Sequence, residues 1–185
     1  GAVVSLVANV FVNGIKYFEA LRSSFLTRFT FFDLSEYIIP FAWLTMGFIL
    51  VVFIKKIVGS TSWQGPADAI YCAHRPNKDM DIRQGFGTVL AAFTSLSAGA
   101  SLGQYGPIVH MGALIGGFCK KYNFSSIHLS NDIFLGCGVA AAISAGFQAP
   151  IAGVIFAHEA ILRHFSARAI APIAISSICA PSVGE

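Results

Sequence analysis

Long apolar runs separated by short polar stretches dominate this chain. The first runs from Gly1 to about Leu21 with few polar interruptions, among them Asn9, Asn13 and Lys16, and the second, from Tyr37 to Ile54, carries no charge. Two longer tracts follow at 84–119 and 133–161, and a last apolar segment covers about 169–183. A helix needs about 20 apolar residues to cross a bilayer, and all of these runs except the last are close to that length or longer. The pattern predicts an all-α, polytopic membrane protein.

Three short sequences interrupt the apolar runs: SWQGP at 62–66, GQYGP at 103–107 and FQAP at 147–150. Such a break exposes peptide N–H groups at a depth where no water can satisfy them. Helix-compatible apolar sequence follows each break. Proline suits the first turn of a helix because its missing N–H is no loss there. Each break is therefore expected to open a helix inside the membrane.

Helix starts inside a membrane have a specific chemical use. A helix N-terminus carries about half a positive charge and several free N–H donors. Several such ends meeting near the midplane would bind an anion without a lysine or arginine, as broken helices do in transporters. Alternatively, the glycines in the breaks are hinges that let helices pack closely. Composition leaves these two interpretations open.

Charge supports the membrane assignment and excludes other classes. Only 11% of the residues are charged, whereas soluble domains have about 25%. The net charge of +3 is spread along the chain and gives no nucleic-acid footprint. His158–Glu159 is followed by Leu162 where a zinc-protease motif would need histidine. We therefore expect no enzyme, no metal site and no nucleic-acid partner.

The distribution of basic residues predicts the topology. If the first helix starts in the cytoplasm, only Arg22 and Arg28 fall in an outer loop, which is the bias that the positive-inside rule describes. The other loop residues with positive charge would then be cytoplasmic. They are Lys55, Lys56, Arg75, Lys78, Arg83, Lys120, Lys121, Arg163 and Arg168.

Two phrases resemble the CLC family of chloride channels and chloride/proton antiporters. SLGQYGPIVHMGALIGG at 101–117 is similar to the family's GREGP half-helix start, and GCGVAAAISAGFQAPIAGVIFAHEAI at 136–161 to its AAFNAPLAGVLFxxEE phrase. The two phrases stand in the family's order and at its separation. The matching residues are Gly103, Gly106, Pro107, Phe147, Ala149, Pro150, Ala152, Gly153, Phe156 and Glu159.

The resemblance implies a fold, a function and partners. Residues 1–185 would form a single transmembrane repeat, one half of the CLC inverted-repeat fold with its broken half-helices. The function implied is transmembrane chloride transport, with chloride as the transported ion and no cofactor. It further implies a homodimer whose interface includes about 146–184, and a second half that completes the pore.

The resemblance also implies the anion-binding residues, and the departures from the family pattern are informative. Tyr105 stands at the gating glutamate of GREGP, and Ala160 at the antiporters' internal proton acceptor. Loss of both carboxylates predicts passive permeation without proton coupling. The alternative is a non-transporting receptor or partner-binding protein that keeps the scaffold. The anion-binding candidates are Gly103, Gln104, Tyr105, Gly106 and Pro107, with Ser62, Trp63, Gln64 and Gly65 at the first break.

Two ionisable residues near the breaks have structural explanations as well as functional ones. His110 is expected to be a packed histidine bonded to a backbone carbonyl, with a titratable group near the pore as the alternative. Glu159 is expected to pair with Arg163 four residues later along the helix.

Overall fold

The computed structural model of the chain describes residues 1–29, 35–59, 62–75, 78–122 and 129–181, without the side chains of 26–29 and 35–37. All regular elements in these ranges are helices, as the sequence predicts. They are α1 (Ala2–Phe29), α2 (Ser35–Val58), α3 (Pro66–Ala73), α4 (Ile82–Ser97), α5 (Tyr105–Lys121), α6 (Asn131–Phe147), α7 (Pro150–Phe156), which continues as a π-helical segment (Ala157–Leu162), and α8 (Ala167–Ile178).

Each predicted break opens a helix. Pro66 begins α3 and Pro150 begins α7, so both prolines occupy the first turn, where their ring fits. The second break opens α5 at Tyr105, two residues before Pro107. Because the first three helical N–H groups lack intrahelical acceptors, Pro107 removes none of the helix's hydrogen bonds.

The first two helices have the length and hydropathy of membrane spans. Within the described residues, two segments are long and apolar enough to cross a bilayer, Ala2–Phe25 and Ile38–Val58. Only 6% of the second segment is buried inside the chain, so nearly its whole surface faces outward. α1 extends beyond the predicted end at Leu21 as far as Phe29, since Arg22 and the serines after it tolerate helix. Residues 30–34 lie outside the described part.

The centre of the fold is a glycine contact between α5 and α6, which form the most extensive helix pair. A Cβ added at Gly112 would overlap the Gly138 carbonyl, one at Gly138 would overlap that of Gly112, and one at Gly116 would overlap Phe134. These glycines let two backbones touch, as small residues do in membrane helix pairs. Since residue numbers rise on one helix as they fall on the other, the two helices are antiparallel.

Other helices cover the remaining faces of α6. α1 packs one stripe of residues inward, formed by Val4, Ala8, Phe11 and Ile15. α8 packs on another face, where the Ser144 hydroxyl donates to the Ser177 carbonyl at 2.6 Å. This buried hydrogen bond satisfies a side chain that would otherwise be costly in an apolar interior.

The helix after the third break ends irregularly, which corrects one expectation. Ala157–Leu162 is π-helical, and Arg163 has a left-handed backbone with φ +58°. The left-handed backbone at Arg163 ends the helix, so the Arg163 side chain does not continue the helical face that carries Glu159. Glu159 and Arg163 consequently form no ion pair, and the one ion pair within the described part joins Lys120 to Asp79 at 3.2 Å.

The α5–α6 contact can be tested by adding one methyl group. Gly138→Ala should force the helices apart and lower the free energy of unfolding by about 1–3 kcal/mol, as overpacking does. Thermal unfolding of the purified protein in detergent measures the change. Gly117→Ala is the matched control, because its Cβ would meet Leu135 at an ordinary 3.6 Å. Equal loss of stability in both variants would contradict the backbone contact.

Candidate anion site

The three breaks surround one cavity of about 630 Å³. Its walls include the start of α3, the start of α5 and the residue before α7, so the three helix openings converge. Among the residues that the structure describes, no charged side chain lines this cavity, and most of the wall is apolar. The lining residues are Pro66, Tyr105, Gly106, Val109, Ile143, Phe147, Ala149, Ala152 and Phe156.

Tyr105 lines this cavity and contacts an aromatic neighbour that the sequence matched to the family phrase but did not predict as its partner. Its ring is stacked on Phe147, with centroids 4.1 Å apart and an interplanar angle of 18°. Gly146 lies beneath the same ring, since a Cβ there would be 3.4 Å from it. Tyr105 remains 37% exposed and Phe147 50%, so the pair forms part of the cavity surface. Within the described residues the Tyr105 hydroxyl forms no hydrogen bond.

The glycines of the second break have open space around them. A Cβ built on Gly103 or Gly106 would meet no atom within 4 Å, and neither glycine has a positive φ. The backbone turn therefore does not require glycine at these positions. Close packing among the described residues does not explain them either, because no described atom lies within 4 Å of either Cβ position. The space remains available to an ion or to another part of the complete protein.

The start of α3 differs from the other two helix starts because it has an acidic cap. Asp68, in the first turn, accepts a hydrogen bond from the Gly65 N–H at 2.7 Å. Pro66 has no N–H to offer. The carboxylate also offsets the positive end of the helix dipole. An anion at this end would therefore have to compete with Asp68.

The other candidates at the first break lie apart from the apolar cavity. Ser62 and Gln64 line a second, polar cavity of about 510 Å³ that also contains Asp68, Asp79 and Asp81. The Gln64 N–H donates to the Thr88 hydroxyl at 3.2 Å. The structure thus separates these residues from Tyr105.

The remaining candidates lie beside the helix starts. Gln104 precedes α5, and its carbonyl accepts from the Ile108 N–H at 3.4 Å. Pro107 is in the first turn of α5. Trp63 is 39% exposed and, like Gly103, is absent from the walls of the apolar cavity. Ala160 lies in the π-helical segment, partly buried.

His110 is buried as predicted, but its expected hydrogen bond is missing. The side chain is 1% exposed, and neither ring nitrogen has a partner among the described residues. It lies on α5, one turn beyond the cavity residue Gly106. The predicted bond to a backbone carbonyl is not formed at hydrogen-bond distance, although the Gly65 backbone and Asp68 are near enough to act on the imidazole.

This arrangement can hold an anion by backbone donors. The first-turn N–H groups of α5 and α7 lack intrahelical acceptors and point out of the helix starts around the cavity. In an apolar site, such donors interact more strongly with charge than they would in water. Within the described residues, no group of three or more His, Cys, Asp or Glu side chains could hold a metal ion.

Comparison with known proteins assigns the family. The profile described as Voltage gated chloride channel matches residues 42–185, more than three quarters of the chain. The chain belongs to the voltage-gated chloride channel family. Members of this family are integral membrane proteins, which agrees with the two candidate spans. The resemblance of the two sequence phrases is thereby confirmed.

Individual relatives include both channels and exchangers. The chain is 27% identical over 104 residues to "Putative chloride channel protein ClcB-like" of Ralstonia nicotianae, covering 55% of this chain and 24% of that protein. It is 22% identical over 183 residues to "Chloride channel protein C" of Dictyostelium discoideum, covering 90% of this chain and 24% of that protein. It is 34% identical over 73 residues to "H(+)/Cl(-) exchange transporter 5" of Oryctolagus cuniculus, covering 38% of this chain and 9% of that protein.

The chain spans about a quarter or less of each of these relatives. As a member of the family it is related to transporters and channels for chloride rather than to enzymes.

The acidic cap of α3 generates a prediction. Asp68→Asn should keep an acceptor for the Gly65 N–H while removing a charge near one helix end. Helix-terminal charges are worth about 0.3–1 kcal/mol, so anion affinity of the complete protein should rise about two- to fivefold. Isothermal titration with chloride or bromide measures this. The control is Asp81→Asn, because Asp81 caps α4 through Arg83 and Gln84. No difference between the two variants would show that α3 does not face the ion.

Proposed function

We propose that this chain contributes half of a pore for passive transport of chloride or a similar anion, without coupling to protons. The observation that carries the proposal is the convergence of three helix starts on one uncharged cavity, with Tyr105 at its surface. Backbone donors there would bind the ion weakly enough for it to leave. Family membership supports chloride transport in general.

Tyr105 acts in this proposal as a constriction. The ring is held by its stacking on Phe147 and by contact with Gly146. A carboxylate gains hydration by swinging out of a pore, whereas a phenol gains little by leaving an aromatic partner. Opening therefore requires the two rings to separate, which favours slow flux.

A second half of the pore and a second subunit belong to the proposal as well. The open space beside Gly103 and Gly106 supports an additional wall there. Large apolar side chains on the last helices, such as Ile151 and Ile175, are exposed and fit the proposed homodimer interface at about 146–184.

The gating role of Tyr105 is tested by anion efflux from liposomes that contain the complete protein. Tyr105→Ala should raise the flux, and Tyr105→Phe should change it little because the stacked ring remains. Phe147→Leu should raise the flux about two- to twelvefold, since an aromatic pair contributes about 0.5–1.5 kcal/mol. Phe156→Leu is the control, because Phe156 lines the same cavity outside the stacked pair.

Two results would count against this account. If Tyr105→Phe abolishes anion binding, the hydroxyl is a ligand and the ring is not a plug. If the folded wild-type protein and all variants pass no anion, the chain belongs to a non-transporting membrane protein that retains the scaffold.

Proton coupling should be absent. Coupling needs a group that binds and releases protons along the path, and phenols titrate far above neutral pH while alanine does not titrate. An imposed chloride gradient should therefore drive no uphill proton movement in liposomes containing the complete protein. Proton uptake at a fixed ratio to chloride would refute this. Its loss in His110→Ala would then identify the buried histidine as the carrier.

A further inference from the structure

A second apolar cavity, of about 170 Å³, lies between α1, α2 and α4 and shares no wall residue with the candidate anion site. Its apolar walls include Phe18, Trp43, Met46, Leu50 and Phe93. An apolar cavity of about 150 Å³ stays dry and takes up benzene, so this volume suits a hydrocarbon segment better than water. α2 is exposed along nearly its whole length, so the cavity adjoins a surface that faces lipid.

The cavity wall contains one polar group without a partner. Ser97 is 8% exposed, and its hydroxyl forms no hydrogen bond within the described part of the chain. A buried donor left unpaired destabilises the folded state. A ligand that brings an acceptor oxygen to Ser97 would remove that cost.

A positive charge lies near the same end of the cavity. The guanidinium of Arg22 packs against Gly99, where an added Cβ would overlap it and where φ is +97°. Gly99 follows Ala98, a wall residue, and Arg22 lies one turn beyond Phe18 on α1. No carboxylate forms an ion pair with Arg22 in the described ranges.

The end of the cavity near Arg22 lies where a lipid headgroup would be expected. Arg22 lies in the last turn of the apolar segment Ala2–Phe25, and so near the end of a candidate membrane span. Trp43, in the wall, is a residue type enriched at the membrane–water interface. The charge of Arg22, the hydroxyl of Ser97 and the apolar cavity therefore follow one another in the order that suits the charged head and apolar tail of an anionic amphiphile.

We propose that this cavity binds an anionic phospholipid. One acyl chain enters between Phe18, Trp43 and Phe93, and a phosphate oxygen accepts hydrogen bonds from Arg22 and Ser97. The proposal is independent of whether the protein transports anions, because it uses none of the pore residues.

Fluorescence quenching in bilayers tests the proposal. Bromine on an acyl chain inside the cavity would quench Trp43, and subtraction of the Trp43→Phe variant isolates that contribution from other tryptophans. The complete protein is reconstituted in phosphatidylcholine with increasing fractions of dibrominated phosphatidylglycerol or dibrominated phosphatidylcholine. Half-maximal quenching should need about fivefold less dibrominated phosphatidylglycerol than dibrominated phosphatidylcholine, because one basic residue near the membrane surface strengthens binding of an anionic lipid by about that factor.

Variants decide whether the named residues produce this preference. Arg22→Gln should abolish it, and Lys16→Gln should preserve it, because Lys16 is an exposed cation on the same helix away from the cavity wall. Ser97→Ala removes an unpaired hydroxyl and should fold normally while weakening the preference. It therefore keeps the test valid if Arg22→Gln does not fold.

Three outcomes would overturn the proposal. Equal quenching by the two brominated lipids would exclude an anionic site at Trp43. An equal effect of Lys16→Gln and Arg22→Gln would show only general attraction of the lipid to basic charge. An unchanged preference in folded Ser97→Ala would remove the hydroxyl from the site and leave its burial unexplained.

Discussion

The close contact of the α5 and α6 backbones sets the register on which the candidate site depends. Gly112 lies against Gly138, and the antiparallel direction then brings the start of α5 beside the end of α6. Tyr105 and Phe147 stack at that point. Side chains larger than hydrogen at the glycines would separate the helices and change this pairing. The glycines that let the two backbones touch thus decide which aromatic rings stack at the cavity.

The helix starts around the cavity are chemically unequal. α5 and α7 present first-turn N–H groups without an acidic cap, whereas Asp68 accepts from the N–H that precedes α3. A site built from such ends attracts an anion without a full positive charge. The affinity of such a site for the anion is limited, which suits an ion that must pass through. A carboxylate at one of the three ends weakens binding further.

Sequence reasoning predicted the helical breaks because proline and glycine act locally: α3 and α7 begin at Pro66 and Pro150, and α5 begins two residues before Pro107. The resemblance to the family phrase GREGP predicted Tyr105 as a site residue, because that phrase is a short, contiguous motif. Phe147 was recognised as a matching residue but not as the partner of Tyr105, since stacking depends on the register between two helices. The π-helical segment, the Asp68 cap and the unpaired His110 also depend on packing that no local pattern encodes.

The central claim is that an anion binds at the start of α5 beside the Tyr105–Phe147 pair. Bromide scatters X-rays anomalously, so crystals of the complete protein grown with bromide locate the ion directly. The account predicts an anomalous peak in the cavity within hydrogen-bond distance of the first-turn N–H groups of α5 or α7. Bromide bound elsewhere along the pore, with this cavity empty or occupied by side chains of the second half, would contradict it.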